Sequence, residues 1–171
     1  MNRLSCLHFA LVTALAATPV IANDPPEVEH QPPQCSLMEK PIELCASVLD
    51  DGDIAKVRTY FRRPGEKEYL VSEMAFEGAR FCTTLPGVKA GKLRSLEYYI
   101  QAIDTEYESK RTSTYQIQIQ TDADCPFPAV QKDAKKATAI RVQATSAKTV
   151  KLPDYLDPTG VTFLSVAAAK K

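Results

Sequence analysis

Apolar and polar residues alternate with a period of two from Pro41 onward, which is the pattern of half-buried β-strands. The alternation is cleanest in four stretches. Their apolar faces are Ile42, Leu44, Ala46 and Val48 in "IELCASVLD"; Val57, Thr59 and Phe61 in "IAKVRTYFRR"; Leu96, Tyr98, Ile100 and Ala102 in "LEYYIQAID"; and Tyr115, Ile117 and Ile119 in "TSTYQIQIQ". Two less regular stretches, "YLVSEMAF" and "ARFCTTLP", bring the number of predicted strands to six.

Turn signals separate these strands roughly every ten residues. They are "DDGD", "PGEK" and "GVKAGK", each built around a glycine. No stretch has a convincing helical period. The sequence therefore predicts an all-β fold, an antiparallel sandwich or barrel. The lead-in "NDPPEVEHQPPQ" holds four prolines and is expected to be extended, with at most an edge strand.

The N-terminus has the composition of a secretory signal peptide. Arg3 supplies the positive charge, an apolar run follows from about Leu4 to Ala17, and "VIA" precedes "ND". The alternative, a membrane anchor, needs roughly 20 apolar residues, and this run is shorter and is interrupted by polar residues. We expect residues 1–22 to be removed and the mature chain to begin at Asn23, exported to the periplasm or the extracellular space.

Charge divides the mature chain into two unequal parts. Residues 23–124 contain 12 Lys/Arg and 18 Asp/Glu, a net charge of −6, whereas residues 125–171 contain 8 Lys/Arg and 3 Asp/Glu, a net charge of +5. We therefore predict a sandwich domain over 23–125 and a basic C-terminal extension over 126–171. The extension could supply short strands in "AIRVQAT", "KTVKLP" and "GVTFLSVA" that dock on the main domain, or stay partly mobile. It has too few large apolar residues for a core of its own.

Four cysteines remain once Cys6 is lost with the leader: Cys35, Cys45, Cys82 and Cys125. An even number of cysteines in an exported chain indicates disulfides, and three connectivities are open. A zinc site is the competing interpretation. It is disfavoured because the spacings contain no CxxC and His30 is the only histidine in the mature chain.

The order of strands resembles the fibronectin type III and immunoglobulin-like modules of exported bacterial proteins. The resemblance rests on "ASVLDDGDIAKVRTYFRRPG", a methionine-containing strand, "ARFCTTLP" and "LEYYIQAID", and it covers about residues 27 to 120. It implies a sandwich with strands A, B and E in one sheet and C, F and G in the other. An antibody-type domain is disfavoured, because a core tryptophan is lacking and Ile100 occupies the position of the second cysteine of such domains.

The same resemblance implies roles for a tyrosine and for the cysteines. Tyr98 would be the tyrosine corner that opens strand F, with its ring in the core and its hydroxyl bonded back to the backbone. Cys45 on strand B and Cys82 on strand E would face outward opposite each other, which implies a Cys45–Cys82 disulfide. Cys35 at the end of strand A and Cys125 just beyond strand G would form the second disulfide.

Candidate catalytic groups are few. A serine or cysteine hydrolase needs a nucleophile and an orienting base, but His30 lies in the proline-rich lead-in, where we expect a solvated histidine, and the cysteines are expected to be paired. Paired carboxylates for glycoside hydrolysis lack an evident cleft, and there is no glycine-rich phosphate loop. We therefore expect a protein that is not an enzyme and that needs no cofactor.

Acidic loops offer one candidate metal site. Asp50, Asp51 and Asp53 lie in one predicted turn, and Asp104 and Glu106 follow the "LEYYIQAI" strand together with Glu108. Both loops should meet at one end of a sandwich, where oxygen ligands could hold calcium. The alternative is that these are ordinary hydrated turn residues.

A second candidate site is a patch on a sheet face. Tyr60, Arg62 and Tyr99 are expected to point outward from neighbouring strands, and tyrosine and arginine are favoured at protein interfaces. The alternative is an ordinary solvent-exposed sheet face.

We expect an exported, non-catalytic binding or spacing module whose partner is a protein or a cell-envelope component. Nucleic acid is disfavoured because the sandwich is acidic. A small secreted enzyme or enzyme inhibitor acting through its loops is the alternative.

Overall fold

The structure, a computed structural model, describes residues 24–121, 124–125 and 139–166. The expected leader, 1–22, lies outside them, as do residues 126–138, which precede the C-terminal strands. The described residues form twelve strands: β1 Glu27–Glu29, β2 Cys35–Leu37, β3 Ile42–Leu49, β4 Ile54–Arg62, β5 Leu70–Glu73, β6 Ala75–Glu77, β7 Arg80–Leu85, β8 Ser95–Asp104, β9 Ser109–Arg111, β10 Tyr115–Gln120, β11 Ile140–Ala144 and β12 Val161–Leu164. None of the described segments forms an apolar helix of membrane-spanning length.

The strands form two sheets that pack as a β-sandwich. One sheet has four strands in the order β1-β3-β7-β6. The other has eight, in the order β12-β11-β5-β4-β8-β10-β2, with β9 paired to the end of β8. All pairings are antiparallel except β10 with β2 and β11 with β12. The all-β fold expected from the period-two pattern is confirmed, and of the sandwich and the barrel that the pattern left open it is the sandwich.

The core lies between the sheets and is centred on β8. Burial alternates along all ten residues of this strand, and Leu96, Tyr98, Ile100 and Ala102 are fully buried. Leu44 and its neighbours in the four-stranded sheet close the core from the other side. Burying one large apolar side chain contributes about 1.5–3 kcal/mol, so this alternating set is the main source of stability.

The lead-in divides between the two sheets. β1 is an edge strand antiparallel to β3, whereas β2 lies parallel to β10 in the other sheet. Pro32 and Pro33 fall in the crossing between them. Cys35 was expected at the end of a single strand A; it instead begins β2. Proline removes a backbone donor and fixes φ, which suits a segment that leaves one sheet to enter the other.

The "YLVSEMAF" stretch also divides, contrary to its prediction as one strand. β5 pairs with β4 in the eight-stranded sheet, and β6 pairs with β7 in the four-stranded sheet. Met74 lies between them, is 4% exposed, and donates its amide to the carbonyl of Val57 at 2.9 Å. The crossing therefore occurs at a buried residue, which the hydrophobic pattern alone does not distinguish from the interior of a strand.

The described part of the C-terminal segment belongs to the same core. β11 pairs antiparallel with β5, and Val142 is fully buried. Tyr155 and Leu156 are also buried, and Tyr155 donates its hydroxyl to a Glu66 carboxylate oxygen at 2.9 Å. The predicted strand in "KTVKLP" is wrong: this stretch lies outside all strands, and Val150 is 70% exposed because nothing pairs with it there.

The described residues contain two disulfides, Cys45–Cys82 and Cys35–Cys125, the pairs that the resemblance implied. Cys45 and Cys82 are directly opposed between β3 and β7. Cys82 is only 7% exposed, although it was expected to face solvent, because it lies between Cys45 and Ala75 on the neighbouring strands.

The Cys35–Cys125 disulfide closes a loop of 90 residues, which corresponds to about 4–5 kcal/mol of loop-closure entropy in the chain-entropy model. Two disulfides indicate an oxidising compartment.

Two leucines of β3 test where the core lies. Leu44 is 1% exposed and Leu49 is 60% exposed. We expect Leu44→Ala to lower the free energy of unfolding by about 2–5 kcal/mol, because it leaves a cavity between the sheets. The matched control Leu49→Ala should change it by less than about 0.5 kcal/mol. Urea denaturation of the disulfide-bonded protein measures both, and equal losses would contradict the assignment of the core.

Candidate functional site

The residues expected on the sheet face do come together. Tyr60 and Tyr99 are directly opposed between β4 and β8, and their rings stack with centroids 4.8 Å apart and planes 9° apart. Arg62 lies on the same face of β4, two residues further along. The strands place these side chains outward because Val57, Phe61, Tyr98 and Ile100 occupy the inward positions of the same strands.

Further residues complete this surface, and sequence reasoning missed them. Tyr69 packs edge-on against Tyr99 with centroids 5.1 Å apart, and the Arg62 guanidinium lies over the Tyr69 ring at 4.0 Å. The Arg111 guanidinium lies over the Tyr99 ring at 4.5 Å. Arg58 is outward on β4, in register with Gln101, which is itself in register with Arg111. We call the set Tyr60, Tyr69, Tyr99, Arg58, Arg62 and Arg111 the tyrosine–arginine face.

No sequence signal available for a single chain would have found Tyr69 and Arg111. Tyr69 immediately precedes β5 and Arg111 ends the short strand β9, which the hydrophobic pattern did not predict. Their contacts with Tyr99 depend on the register of three strands. The face is thus a product of the sheet topology rather than of a local motif.

The acidic residues of this sheet surface are already engaged with cations. Glu97 accepts from the Arg62 guanidinium, and the Tyr69 hydroxyl lies 3.5 Å from the same carboxylate oxygen. Glu73 forms an ion pair with Lys56 at 3.7 Å. These pairs leave the positive charges of Arg58 and Arg111 as the excess charge of the face.

The orientation of the rings determines what the face can bind. Tyr60 stacks on the Tyr99 ring from β4, and the Arg111 guanidinium, from β9 on the other side of β8, also lies over the Tyr99 ring, so that ring is covered within the protein. Ring edges, phenolic hydroxyls and guanidinium groups remain for a ligand. Burial raises the pKa of Tyr99, so its hydroxyl stays protonated at neutral pH. The surface is therefore rich in hydrogen-bond donors and suited to ligands that carry oxygen acceptors.

The candidate calcium ligands occupy two adjacent loops, and no three of their carboxylates, all of them in the described residues, lie within 4.8 Å of one another. The Thr105 amide donates to the Asp53 carbonyl at 3.0 Å, which places the loops side by side. Asp104 is 1% exposed, and its carboxylate accepts from the amides of Glu106 and Glu108 at 2.8 and 2.9 Å. An Asp50 carboxylate oxygen accepts from Gly52 at 3.3 Å. Asp51 is exposed on the same turn.

Among the described residues, one group of three acidic, histidine or cysteine side chains has its potential ligand atoms within 4.8 Å of one another. It consists of Glu43, Cys45 and Cys82. Two of these are the cysteines of a disulfide. Asp104 acts in the structure as a loop-organising acceptor, the role that the ordinary turn interpretation gives to these residues.

His30 is less exposed than expected. It was expected to be solvated in the lead-in, but it is partly buried just after β1 and bonded through both ring nitrogens. Nδ1 donates to the Cys45 carbonyl at 2.7 Å, since a carbonyl can only accept. In the neutral ring Nε2 is then the acceptor, and the Tyr98 hydroxyl donates to it at 2.6 Å. The ring also packs edge-on against Tyr98 and Tyr115.

Tyr98 therefore differs from the expected tyrosine corner in one respect. Its ring is in the core as expected, but its hydroxyl reaches the backbone indirectly, through His30 to Cys45. A buried hydroxyl needs a partner, and the histidine supplies one where the local backbone does not. His30 is thus part of the packing of the lead-in against the sandwich.

Comparison with known proteins gives distant likenesses to solved structures. No family model matches the chain, and no curated protein matches it. Among solved structures, it is similar to an engineered protein, with 13% identity and a TM-score of 0.43, over 56% of this chain and 20% of that one. It is also similar to a mutant of the SrpA adhesin from Streptococcus sanguinis, with 18% identity and a TM-score of 0.41, over 61% of this chain and 62% of that one. The chain thus spans less than two thirds of either structure.

The environment of His30 predicts a pH dependence of stability. Burial lowers the pKa of His30 below its usual value, so the folded protein binds its proton less readily than the unfolded chain. The unfolded chain takes up this proton as the pH falls below about 6.5, and the free energy of unfolding decreases until the folded-state pKa is reached. Urea denaturation between about pH 7.5 and pH 5.5 should show the decrease in the wild type.

The control is His30→Gln, which cannot titrate in this range. It should be less stable than the wild type at neutral pH, and its loss of stability on acidification should be smaller. An identical pH dependence in the two proteins would contradict a buried, neutral His30.

Proposed function

We propose that the protein is an exported, non-catalytic binding module of the immunoglobulin or fibronectin type III kind, and that it binds a partner protein through the tyrosine–arginine face. The observation that supports this most directly is the cluster of Tyr60, Tyr99 and Tyr69 with arginines over two of its rings. Such a cluster lies on the outside of the central strands β4 and β8, away from the core. It therefore contributes little to closing the sandwich.

The chemistry of this face fits a protein partner. Tyrosine and arginine are the residues that most often dominate binding energy at protein interfaces. Here ring stacking and the Arg62–Glu97 pair hold them in place before any partner arrives, which lowers the entropy lost on binding. The covered ring of Tyr99 disfavours a ligand that must stack flat on it, such as a sugar.

The candidate catalytic groups support a non-catalytic role. The imidazole of His30 is engaged at both nitrogens by Cys45 and Tyr98, and the four cysteines of the mature chain form two disulfides. A hydrolytic base or a thiol nucleophile would have to be released from these contacts. A small enzyme or inhibitor that works through its loops would not need the tyrosine–arginine face, so variants of this face separate the two functions.

Photocrosslinking tests the face directly. A benzophenone amino acid at position 101, between Arg58 and Arg111 of the face, should crosslink a partner when the mature chain is added to the envelope or extracellular fraction of its source. The same amino acid at position 47, which is on the four-stranded sheet, should not. Mass spectrometry identifies the product.

Substitutions then test whether the tyrosines contribute to the interaction. Tyr60→Ser with Tyr99→Ser should weaken binding of the crosslinked partner by at least about 30-fold, the loss typical of hot-spot residues. The matched control is Phe76→Ser, an exposed aromatic on the other sheet, which should bind as the wild type does. Binding that is lost in the control and kept in the face variant would contradict the proposal, as would crosslinking from position 47 alone.

A further inference from the structure

The loop between β8 and β9 presents an exposed aromatic residue between two carboxylates. Tyr107 is 88% exposed, and Glu106 and Glu108 on either side of it are also exposed. The backbone of Tyr107 has a φ of 71°, a left-handed conformation that is uncommon for a bulky residue. We call Glu106, Tyr107 and Glu108 the acidic knob.

Hydrogen bonds hold the acidic knob in this shape. The buried Asp104 carboxylate accepts from the amides of both glutamates, and the Asp104 amide donates to the Glu108 carbonyl at 3.1 Å. The adjoining Thr105 amide donates to the Asp53 carbonyl of the neighbouring loop at 3.0 Å. An exposed tyrosine whose backbone is fixed in this way loses little freedom when it binds, which favours a role as an interface anchor.

The same chain carries a surface of matching chemistry. On the tyrosine–arginine face, Arg58 and Arg111 lie in one row across β4, β8 and β9, on either side of Gln101. Neighbouring strands are about 4.8 Å apart, so the two arginine backbones are about 10 Å apart, a spacing that two carboxylates flanking one side chain can match. The face offers guanidinium and phenol donors, and the knob offers carboxylate acceptors and an aromatic ring.

We propose that the acidic knob of one copy of this chain docks on the tyrosine–arginine face of a second copy. This inference rests on the proposed role of the face as a binding surface and names a partner for it. The glutamates would pair with Arg58 and Arg111, and Tyr107 would pack beside the Tyr60–Tyr99 stack. The knob joins β8 to β9, the strands that carry Tyr99 and Arg111 of the face, so each copy presents both surfaces next to each other. A two-fold arrangement would make the contact twice and close the assembly as a dimer.

Sedimentation velocity of the mature chain, residues 23–171, tests this directly. The wild type should form dimers as its concentration is raised, and the association should weaken as salt is added, since salt screens the exposed charges. Glu106→Lys with Glu108→Lys should weaken it by at least tenfold, and so should Arg58→Glu with Arg111→Glu. Glu27→Lys with Glu29→Lys, on the edge strand β1, is the control of equal charge change and should associate as the wild type does.

Mixing the two charge-reversed proteins gives the decisive result. Each should be monomeric alone, with a circular-dichroism spectrum like that of the wild type, and the mixture should form a heterodimer because knob and face are again complementary. A wild type that is monomeric at every concentration would overturn the inference. So would a dimer that both charge reversals leave intact, or reversed proteins that fail to associate when mixed.

The experiments distinguish a failure of self-association from a failure of the proposed binding function. If the wild type stays monomeric while position 101 still crosslinks a foreign protein, the self-association is wrong and the binding role of the face stands. If the foreign protein contacts the knob instead, in a monomeric wild type, the self-association is equally wrong.

Discussion

The strict alternation of burial along β8 is the constraint on which the rest of the structure depends. Every second residue from Leu96 to Ala102 fills the space between the two sheets, and the residues between them face outward. A slip of one residue would turn the whole set over, placing Glu97, Tyr99 and Gln101 in the core. Because this cost is large, the register of β8 is fixed. The positions of its neighbours follow from it.

That one register produces both the core and the candidate site. Pairing of β4 with β8 sets Phe61 against Tyr98 inside the sandwich and Tyr60 against Tyr99 outside it. The stack on the outer surface is therefore as well positioned as the core beneath it. Inside, Tyr98 brings a hydroxyl into an apolar region, and His30 satisfies that hydroxyl while anchoring the lead-in to Cys45. The disulfides add covalent links outside this alternating set of side chains.

The period-two alternation of apolar and polar residues predicted those strands that have one buried face and one solvent-exposed face. β3, β4, β8 and β10 are of this kind. It did not predict where the chain changes sheets, because Met74 is as buried at the crossing as it would be within a strand, and β2 follows β1 after a proline-rich gap. The short strand β9 carries exposed polar residues throughout, so it has no hydrophobic pattern to detect.

In the tyrosine–arginine face, the outward residues of β4 and β8 could be predicted from the sequence, but the residues from other segments that contact them could not. Tyr60 and Tyr99 follow from alternation, whereas Tyr69 and Arg111 reach them only through the pairing of other strands. The burial of His30 was not predicted, because a proline-rich lead-in is typical of a solvent-exposed segment and the contact of His30 with Tyr98 is between residues far apart in the sequence. Asp104 was considered a candidate metal ligand because of its acidic loop, and in the structure its carboxylate accepts from two backbone amides of that same loop.

The two adjacent tyrosines of "EYYIQA" offer the most direct measurement, through chemical footprinting of the native, disulfide-bonded protein with a tyrosine-modifying reagent and peptide mapping. Tyr98 should be protected and become reactive only on unfolding, whereas Tyr99 should be modified in the folded state, more slowly than the fully open Tyr107. Equal reactivity of Tyr98 and Tyr99, or protection of Tyr99 with modification of Tyr98, would mean that β8 has another register, and both the core and the face would be wrong.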